Sequence, residues 1–396
     1  MADNKDKKVL NVPALRFPEF SGEWKKLRLS DFATKITKKN KGNIVKNVLC
    51  NSANLGLVPQ GNYFDREIAN TENTDGYYVI CNGDFVYNPR KSTAAPFGPV
   101  NIYEGEDAGI ISPLYLCFSV HNIFPKFLYY RFKSSAWHSY VYSHGDSGVR
   151  FDRVSIKDDV FFDMPIYKPA QDEQIKIATL LQLIDDRIST QNKIIEKLET
   201  LIKGIVELAF SHAATSNTLG CYITQISQRN KIGKNLPVLS VSNKHGFVEQ
   251  SEQFEDRIIA SDDTSNYKIV SINDFAFNPA RINVGSIARL KDKECGIVSP
   301  MYICFRTSKD ILPEYLELFF KTVMFSFEVK KRLEGSVRLC LSYESLCEIV
   351  IPVISIREQH SLVKMVTAFY SKLGVEKIFL RSCQSQRQYL LSQMFI

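Results

Sequence analysis

Basic and amide side chains recur at matched places in the two halves of this sequence. Arginine binds guanine, and asparagine or glutamine binds adenine, through paired hydrogen bonds, while lysine neutralises phosphate. The predicted nucleic-acid contacts in the first half are Lys35, Lys38, Lys39, Asn40, Lys41, Ser52, Asn54, Arg90, Lys91 and Arg150. Those in the second half are Gln228, Arg229, Asn230, Lys231, Lys234, Ser242, Lys244, Arg281 and Arg338. Each residue alone could be ordinary surface, and the recurrence in both halves supports the set.

The spacings that catalysis would need are not found in the sequence. It has no G-x-x-x-x-G-K-[ST] phosphate loop, no G-x-G-x-x-G or F-x-G-x-G cofactor motif, and no evident carboxylate pair or Ser/His/Asp set. Asn88-Pro89 and Asn278-Pro279 resemble half of the Asn-Pro-Pro motif of adenine methyltransferases. Without a cofactor motif upstream, an asparagine-proline turn is favoured. We therefore expect a binding protein with no catalytic residues and no cofactor of its own.

The overall composition is that of an ordinary globular protein with a local basic patch. Hydrophobic residues make up 44% and charged residues 23% of the 396 positions, and this length suggests two or three domains. The net charge is +7, and residues 25–46 contain eight basic residues and one acid, Asp31. Such a patch is compatible with nucleic acid and also with a solvated surface.

Neither export nor membrane insertion is indicated. The first residues, MADNKDKKVLNVP, are polar, and no run of about 18 apolar residues occurs. The nine cysteines include no Cys-x-x-Cys pair, and the six histidines are scattered. We expect reduced thiols in the cytoplasm, with neither disulfides nor a metal site.

An internal repeat runs through the chain. The matched stretches are GIISPLYLCF (109–118) with GIVSPMYICF (296–305), NVLCNSANLGLVPQ (47–60) with PVLSVSNKHGFVEQ (237–250), NGDFVYNPR (82–90) with INDFAFNPA (272–280), and SGVR (147–150) with GSVR (335–338). The offset is 190 for the pairs beginning at 47 and 82 and 187 for the pair beginning at 109. A period this long means two copies of a domain rather than a solenoid. Because the copies differ outside the shared motifs, the pattern suits two domains that recognise different things.

Each copy combines a strand-rich domain with a long helix. The strand signals are β-branched and aromatic runs bounded by turns, and one short helix is predicted at 124–143 and one at 312–333. Apolar residues then follow a heptad spacing that predicts a coiled coil, with an ordinary core helix as the alternative. The predicted seam of the first helix is Ile177, Leu181, Ile184, Ile188, Gln191, Ile195, Leu198, Ile202 and Ile205. The seam of the second is Leu362, Val366, Phe369, Leu373, Glu376 and Leu380.

The predicted fold is α+β, with two tandem globular domains related by a pseudo-two-fold and separated by two long helices in an antiparallel coiled coil. Each helix needs an apolar partner, and about 32 residues at ~1.5 Å per residue make a rod of about 48 Å. The predicted boundaries are an N-terminal tail (1–20), a first recognition domain (21–169), a central helix (170–212), a second recognition domain (213–353) and a C-terminal helix (354–396).

Several stretches resemble specificity subunits of type I restriction-modification systems. They are VPALRFPEFSGEWKKLRLSDF (12–32), GDFVYNPR, GIISPLYLCF, SGVRFDRVS and the proline-glutamine start of the helix in PAQDEQIKIATLLQLIDDRI. The resemblance covers essentially the whole chain. The second copy departs from it locally, because Arg357 and His360 stand where the first copy has Asp172 and Ile175.

The resemblance implies two target-recognition domains that each bind one half of a split double-stranded DNA target. It implies a non-catalytic subunit that joins two methylation subunits, which use S-adenosylmethionine, and two restriction subunits, which use ATP and Mg²⁺. Helices 171–212 and 355–396 would dock the methylation subunits. Their outward faces, with residues such as Lys176, Asp185, Lys193 and Glu196, could serve that role.

Two other functions remain open from the sequence. A complete methyltransferase would require a cofactor motif that is not found. A two-headed scaffold that binds proteins would show no salt-dependent affinity for DNA, whereas phosphate contacts make binding fall steeply with salt. The bases of the target cannot be deduced, because loop conformation and DNA distortion both contribute.

Overall fold

The computed structural model of the protein describes residues 10–62, 74–145, 152–213, 215–233, 235–250, 264–335 and 339–396. Two compact units divide the chain. The first unit is Met1–Asn192 with Phe379–Ile396, and the second unit is Lys193–Ile378. Within the described residues, no helix is long and apolar enough to cross a membrane.

In the described residues of the first half, the chain forms ten strands and four helices. The strands are β1 (Lys25–Arg28), β2 (Ala33–Lys35), β3 (Leu49–Ser52), β4 (Gly56–Pro59), β5 (Tyr78–Ile80), β6 (Phe85–Tyr87), β7 (Val100–Ile102), β8 (Gly109–Ile111), β9 (Leu116–Val120) and β10 (Pro165–Lys168). The helices are α1 (Pro125–Lys133), α2 (His138–His144), α3 (Asp158–Phe162) and the long α4 (Gln171–Ser211).

The same order of elements follows in the second half. The strands are β11 (Thr215–Thr218), β12 (Ile223–Ile226), β13 (Val238–Ser242), β14 (Gly246–Glu249), β15 (Lys268–Ser271), β16 (Phe275–Phe277), β17 (Ile287–Arg289), β18 (Cys295–Val298), β19 (Ile303–Thr307) and β20 (Val350–Val353). The helices are α5 (Pro313–Phe319), α6 (Val323–Arg332), α7 (Tyr343–Cys347) and the long α8 (Ile356–Gln393).

The sheet topology repeats as well. The central sheet has the order β2-β9-β6-β7 in the first unit and β12-β19-β16-β17 in the second. The repeated motifs pair with each other inside this sheet, since Phe85 lies opposite Phe118 and Phe275 lies opposite Phe305. Their rings stack with centroids 5.2 Å and 5.1 Å apart. In each unit, one motif supplies one ring of a buried aromatic pair and the other motif supplies the second ring, which explains why both motifs recur.

The change of offset from 190 to 187 falls in one connection. The loop between β6 and β7 spans residues 88–99, while the loop between β16 and β17 spans 278–286. The second loop is the shorter by the three residues that separate the two offsets. The repeat changes length where the chain turns over the surface, and the paired strands on either side keep their register.

Each single short helix predicted near residues 124–143 and 312–333 is two helices in the structure. The break after α1 occurs at Ser134, whose hydroxyl donates to the carbonyl of Arg131 at 2.7 Å and so competes with a continuing helix. In the second unit Thr322 accepts a hydrogen bond from the Phe325 amide at 3.1 Å and caps α6. Local side-chain bonds to the backbone thus override the continuous apolar pattern.

The two long helices bury their seams within each unit. The predicted seam residues from Ile177 to Ile188 belong to the first core, together with Leu390 and Met394 of α8. In the second core, the seam residues from Ile195 to Ile205 pack together with those from Leu362 to Leu373. Gln191 is 4% exposed and lies on the buried side of α4.

The helix segments of the first unit run in opposite directions. Asp185 of α4 pairs with Arg387 of α8, and Arg187, two residues later in α4, lies 4.6 Å from the ring of Phe379, earlier in α8. This corrects the expectation that Asp185 faces outward, because its carboxylate is half-buried against the other helix. Lys176 is also engaged, in an ion pair with Glu19.

One buried glutamine ties each long helix to its sheet domain. Gln174 accepts a hydrogen bond from the Phe124 amide and donates to the Pro169 carbonyl, both at 2.8 Å. Gln359 makes the equivalent pair with the Leu312 amide and the Ile354 carbonyl, both at 2.9 Å. Gln174 is 1% and Gln359 is 0% exposed. Each side chain therefore fixes the start of the long helix against the loop that leads into α1 or α5.

Replacing either glutamine should destabilise the unit that contains it. Gln174→Ala leaves a buried amide and a buried carbonyl without partners, and we expect a loss of about 2 to 4 kcal/mol in the free energy of unfolding. Denaturant titration followed by circular dichroism measures this loss. Gln388→Ala, at an exposed position of α8, is the matched control and should change the free energy by less than about 0.5 kcal/mol. Equal stabilities for the two variants would show that the buried bonds contribute nothing.

Candidate nucleic-acid interface

The first candidate element is a loop at residues 38–46, named here the clamp loop. Its beginning runs beside β5, with Lys39 bridged to Tyr78 and the Asn40 amide donating to the Tyr77 carbonyl at 2.9 Å. The Asn40 side chain then closes the loop, donating to the Val45 carbonyl and accepting from the Val45 amide, both at 2.9 Å. As a result Lys38, Lys39 and Lys41 are exposed around a buried asparagine.

The second unit builds the same loop from different exposed residues. The Asn230 amide donates to the Tyr267 carbonyl at 2.9 Å, and Arg229 bridges to Lys268. Asn230 is 1% exposed, as Asn40 is 2% exposed. Gln228, Arg229 and Lys231 occupy the exposed positions equivalent to Lys38, Lys39 and Lys41.

These positions correct the predicted role of the two asparagines. Asn40 and Asn230 were expected to contact nucleic acid, but the structure buries both side chains, and that of Asn40 is used to hold its loop. Lys35 is exposed and donates to Asp158 at 2.5 Å, and this hydrogen bond raises the pKa of the Lys35 ammonium. At the offset of 190, its equivalent is Gln225 in the second half.

The second candidate element is the turn between β3 and β4, named the hairpin tip (52–56, and 242–246 in the second unit). The Ser52 hydroxyl accepts from the amides of Asn54 and Leu55 at 3.3 and 3.2 Å. The Ser242 hydroxyl accepts from the amides two and three residues later, both at 3.3 Å. The serines therefore shape the turn, and in this conformation Ser52 is buried rather than available to DNA.

The exposed residues of the hairpin tip differ between the units. Asn54 and Leu55 are exposed in the first unit, and Leu55 is 62% exposed although it is apolar. Lys244 and His245 take their places in the second unit. The same backbone turn thus presents an amide and an apolar group in one unit and two basic or polar groups in the other.

The third candidate element is the Asn-Pro turn (88–91 and 278–281). The Asn88 side chain accepts from the Arg90 amide at 3.0 Å, and Asn278 accepts from the Ala280 amide at 3.1 Å. This confirms the sequence-based preference for a turn. Arg90, Lys91 and, in the second unit, Arg281 are exposed beside it.

The segment that follows the repeated SGVR motif lies beside the Asn-Pro turn. The Val154 amide donates to the Pro89 carbonyl at 2.9 Å, and the Leu341 amide donates to the Pro279 carbonyl at 3.1 Å. Arg150, Lys234 and Arg338, which were predicted to contact nucleic acid, lie outside the described residues. Among the described residues, no group of three or more histidine, cysteine, aspartate or glutamate side chains could hold a metal ion.

Sequence reasoning missed two residues of this surface, Arg153 and Tyr115. Burial raises the pKa of the Tyr115 phenol, and the positive charges of Arg90 and Arg153 are close enough to oppose that shift. Tyr115 belongs to the repeated GIISPLYLCF motif, so its identity was visible, but only the fold brings it near the Asn-Pro turn. No spacing in the sequence links Arg153 to Arg90.

Residues 21–200 match the family model described as Type I restriction modification DNA specificity domain. The matched segment contains the first sheet domain and most of α4. Over these residues the chain is similar to the DNA specificity domains of type I restriction-modification systems. No match was found among curated proteins.

Three solved structures share the fold over nearly the whole chain. The S subunit of a type I restriction-modification system from M. genitalium has a TM-score of 0.57 at 17% identity, covering 97% of this chain and 99% of that chain. The HsdS subunit from Thermoanaerobacter tengcongensis has a TM-score of 0.51 at 15% identity, covering 94% and 96%. A chain from a study of complex assembly and conformational transition of the type I R-M system has a TM-score of 0.56 at 13% identity, covering 93% and 96%.

The prediction that this chain resembles a type I specificity subunit is confirmed by the family match and the shared fold. The predicted fold class is also confirmed, with two sheet domains whose central sheets share one strand order and with two long helices. The domain boundaries proposed from the sequence and the individual contact residues stay predictions.

Opening the clamp loop should weaken DNA binding without removing a charge. Asn40→Ala deletes three hydrogen bonds of the loop, including a 3.3 Å bond to Thr74. We expect faster amide hydrogen exchange at residues 41–46 and DNA affinity reduced about 5- to 10-fold. Lys38→Gln is the control, because it removes a charge and leaves exchange in the loop unchanged. Slow exchange in the Asn40→Ala loop would contradict the clamp role.

Proposed function

We propose that this chain is the sequence-specific DNA-binding subunit of its complex, with each sheet domain binding one half of a bipartite target. The observation that carries the proposal is the repeated scaffold. Both domains anchor the start of the clamp loop and shape the hairpin tip and the Asn-Pro turn with equivalent hydrogen bonds, while the exposed side chains on those loops differ. Such an arrangement suits two domains that share a docking geometry and recognise different bases.

The long helices are proposed to dock two methylation subunits and, through them, two restriction subunits. Support comes from an apolar patch on the outer face of α4, formed by Ile175 and Leu183, which are 39% and 61% exposed. Phe17 and Leu180 line the same shallow depression. Exposed apolar surface on a helix is a common feature of protein interfaces.

Catalysis is assigned to the partner subunits in this proposal. They would supply S-adenosylmethionine for methylation, and ATP and Mg²⁺ for translocation and cleavage, while this chain supplies recognition. A cytoplasmic location stays a prediction. The alternative of a two-headed protein scaffold has no observation in its favour.

A binding selection tests the bipartite target. The chain, reconstituted with its methylation subunit, is incubated at physiological salt with duplexes that carry a randomised central region. We expect two short specified blocks separated by a fixed unspecified gap, because two domains joined in one chain would contact separate stretches of one duplex. Replacing residues 21–165 by those of a relative should change one block and leave the other unchanged.

The same selection can contradict the proposal. A single continuous motif would mean that the two domains do not bind separate half-sites. Enrichment of no motif, together with an affinity that is independent of salt, would leave the protein scaffold as the better interpretation.

A charge on the apolar patch of α4 should weaken assembly. Leu183→Asp places a carboxylate in the depression beside Ile175, and we expect at least a 10-fold loss of affinity for the methylation subunit, measured by calorimetry or sedimentation. Ser189→Asp, at an exposed position of the same helix, is the control. Equal affinities for both variants would exclude this patch from the interface.

A further inference from the structure

Two arginines of the first unit face each other across a short antiparallel bridge. Arg90 is paired with Arg153, and the flanking hydrogen bonds run from the Lys91 amide to the Asp152 carbonyl at 2.8 Å and from the Val154 amide to the Pro89 carbonyl at 2.9 Å. Because these bonds flank the pair, Arg90 and Arg153 occupy a non-hydrogen-bonded position, where side chains project to the same face with Cβ atoms about 4.5 to 5.5 Å apart.

Like charges at such a position destabilise the free protein unless something neutralises them. The nearest acid does this poorly, because the ion pair between Arg90 and Asp152 is 3.9 Å long and joins side chains that are 67% and 55% exposed. Within the described part of the chain, the buried Nε of Arg153 has no hydrogen-bond partner. The pair therefore has both excess positive charge and an unused donor.

The surroundings extend this site toward the predicted DNA contacts. Tyr115 lies close enough to both arginines for their positive charges to act on its phenol group. Lys91 is exposed next to Arg90. The bridge is also part of the Asn-Pro turn, whose Asn88 orders the amide of Arg90. The backbone that carries the two arginines is thus fixed by hydrogen bonds at the surface.

The second unit has neither arginine and keeps only part of this backbone. The hydrogen bond from the Leu341 amide to the Pro279 carbonyl aligns Ala280 with Arg90 and Cys340 with Arg153, but Cys340 is bridged to Glu334 instead. The pair is a special feature of the first unit.

We propose that Arg90 and Arg153 together bind one backbone phosphate of the DNA at the first half-site, a contact that the second half-site does not have. The proposal rests on the proposed function, since it assumes that the first domain docks on DNA. Phosphate fits because guanidinium groups form short, charge-assisted, often paired hydrogen bonds with its oxygens. One backbone phosphate has two non-bridging oxygens and one negative charge, so it can accept from both guanidinium groups and reduce their mutual repulsion, which a neutral base edge does not do.

The test is a phosphate-neutralisation scan with the chain and its methylation subunit. Duplexes carrying the selected target are made with a single uncharged methylphosphonate at each successive position. For the unmodified protein, we expect one position flanking the first block to weaken binding about 10-fold. In the variant R90Q/R153Q that position should lose its effect, and the slope of log Kd against log salt should fall by about 0.9.

A control with the same change in net charge separates this contact from general electrostatics. K309Q/K330Q removes two exposed lysines of the second unit, and its methylphosphonate profile should match that of the unmodified protein. The free energy of unfolding of R90Q/R153Q should be equal to or above that of the unmodified protein, because like-charge repulsion is relieved. A loss of binding accompanied by unfolding would overturn the proposal.

The remaining outcomes are also decisive. If R90Q/R153Q changes the bases selected in the first block and leaves the phosphate profile intact, the arginines bind base edges and the proposal is wrong. If R90Q/R153Q changes neither the selected bases nor the methylphosphonate profile while two blocks are still selected, the phosphate site is wrong and the bipartite function stands.

Discussion

The buried glutamine at the start of each long helix is the interaction on which the arrangement of each unit depends. A helix with an apolar seam can rotate and slide along a partner at small cost, because dispersion and burial are not directional. Gln174 and Gln359 remove that freedom, since each bonds to an amide before α1 or α5 and to a carbonyl before its own helix. Leaving either group unbonded in the core would be costly, so the bonds set the angle at which a sheet domain meets its helix.

A second division follows within each domain, between groups that hold the loops and groups that face solvent. The holding groups are amides and hydroxyls such as those of the buried Asn40 and Ser52 and the half-buried Ser242. Their bonds are to backbone atoms close in sequence. The side chains of their neighbours Asn54 and Lys244 are exposed and do not hold the turn, so these residues can differ between the units. Because backbone conformation and surface chemistry are supplied by different residues, one half can acquire a new exposed set while its loops keep their shape.

This division also explains how far the sequence could predict the site. The repeat, the sheet domains and the heptad helices were predictable because each rests on a periodic or recurrent pattern. The burial of Asn40, Asn230 and Ser52 was not predictable, because a polar residue in a loop has the same appearance in sequence whether it faces water or bonds to the backbone. Arg153 was missed for a different reason, since its partnership with Arg90 arises from a bridge between segments that are far apart in the chain.

The two units differ most in how their helical parts are assembled. In the second unit, Phe210 at the end of α4 packs on Tyr315 at a centroid distance of 4.7 Å. In the first unit, the equivalent place against Phe127 is filled by Phe395, at 5.4 Å, from the far end of the chain. The first core is therefore incomplete until the C-terminal segment Phe379–Ile396 has joined it. Joining this segment to Met1–Asn192 closes a long loop, and the entropic cost of closure grows only with the logarithm of the loop length. The second unit is continuous in sequence, Lys193–Ile378, and needs no such closure.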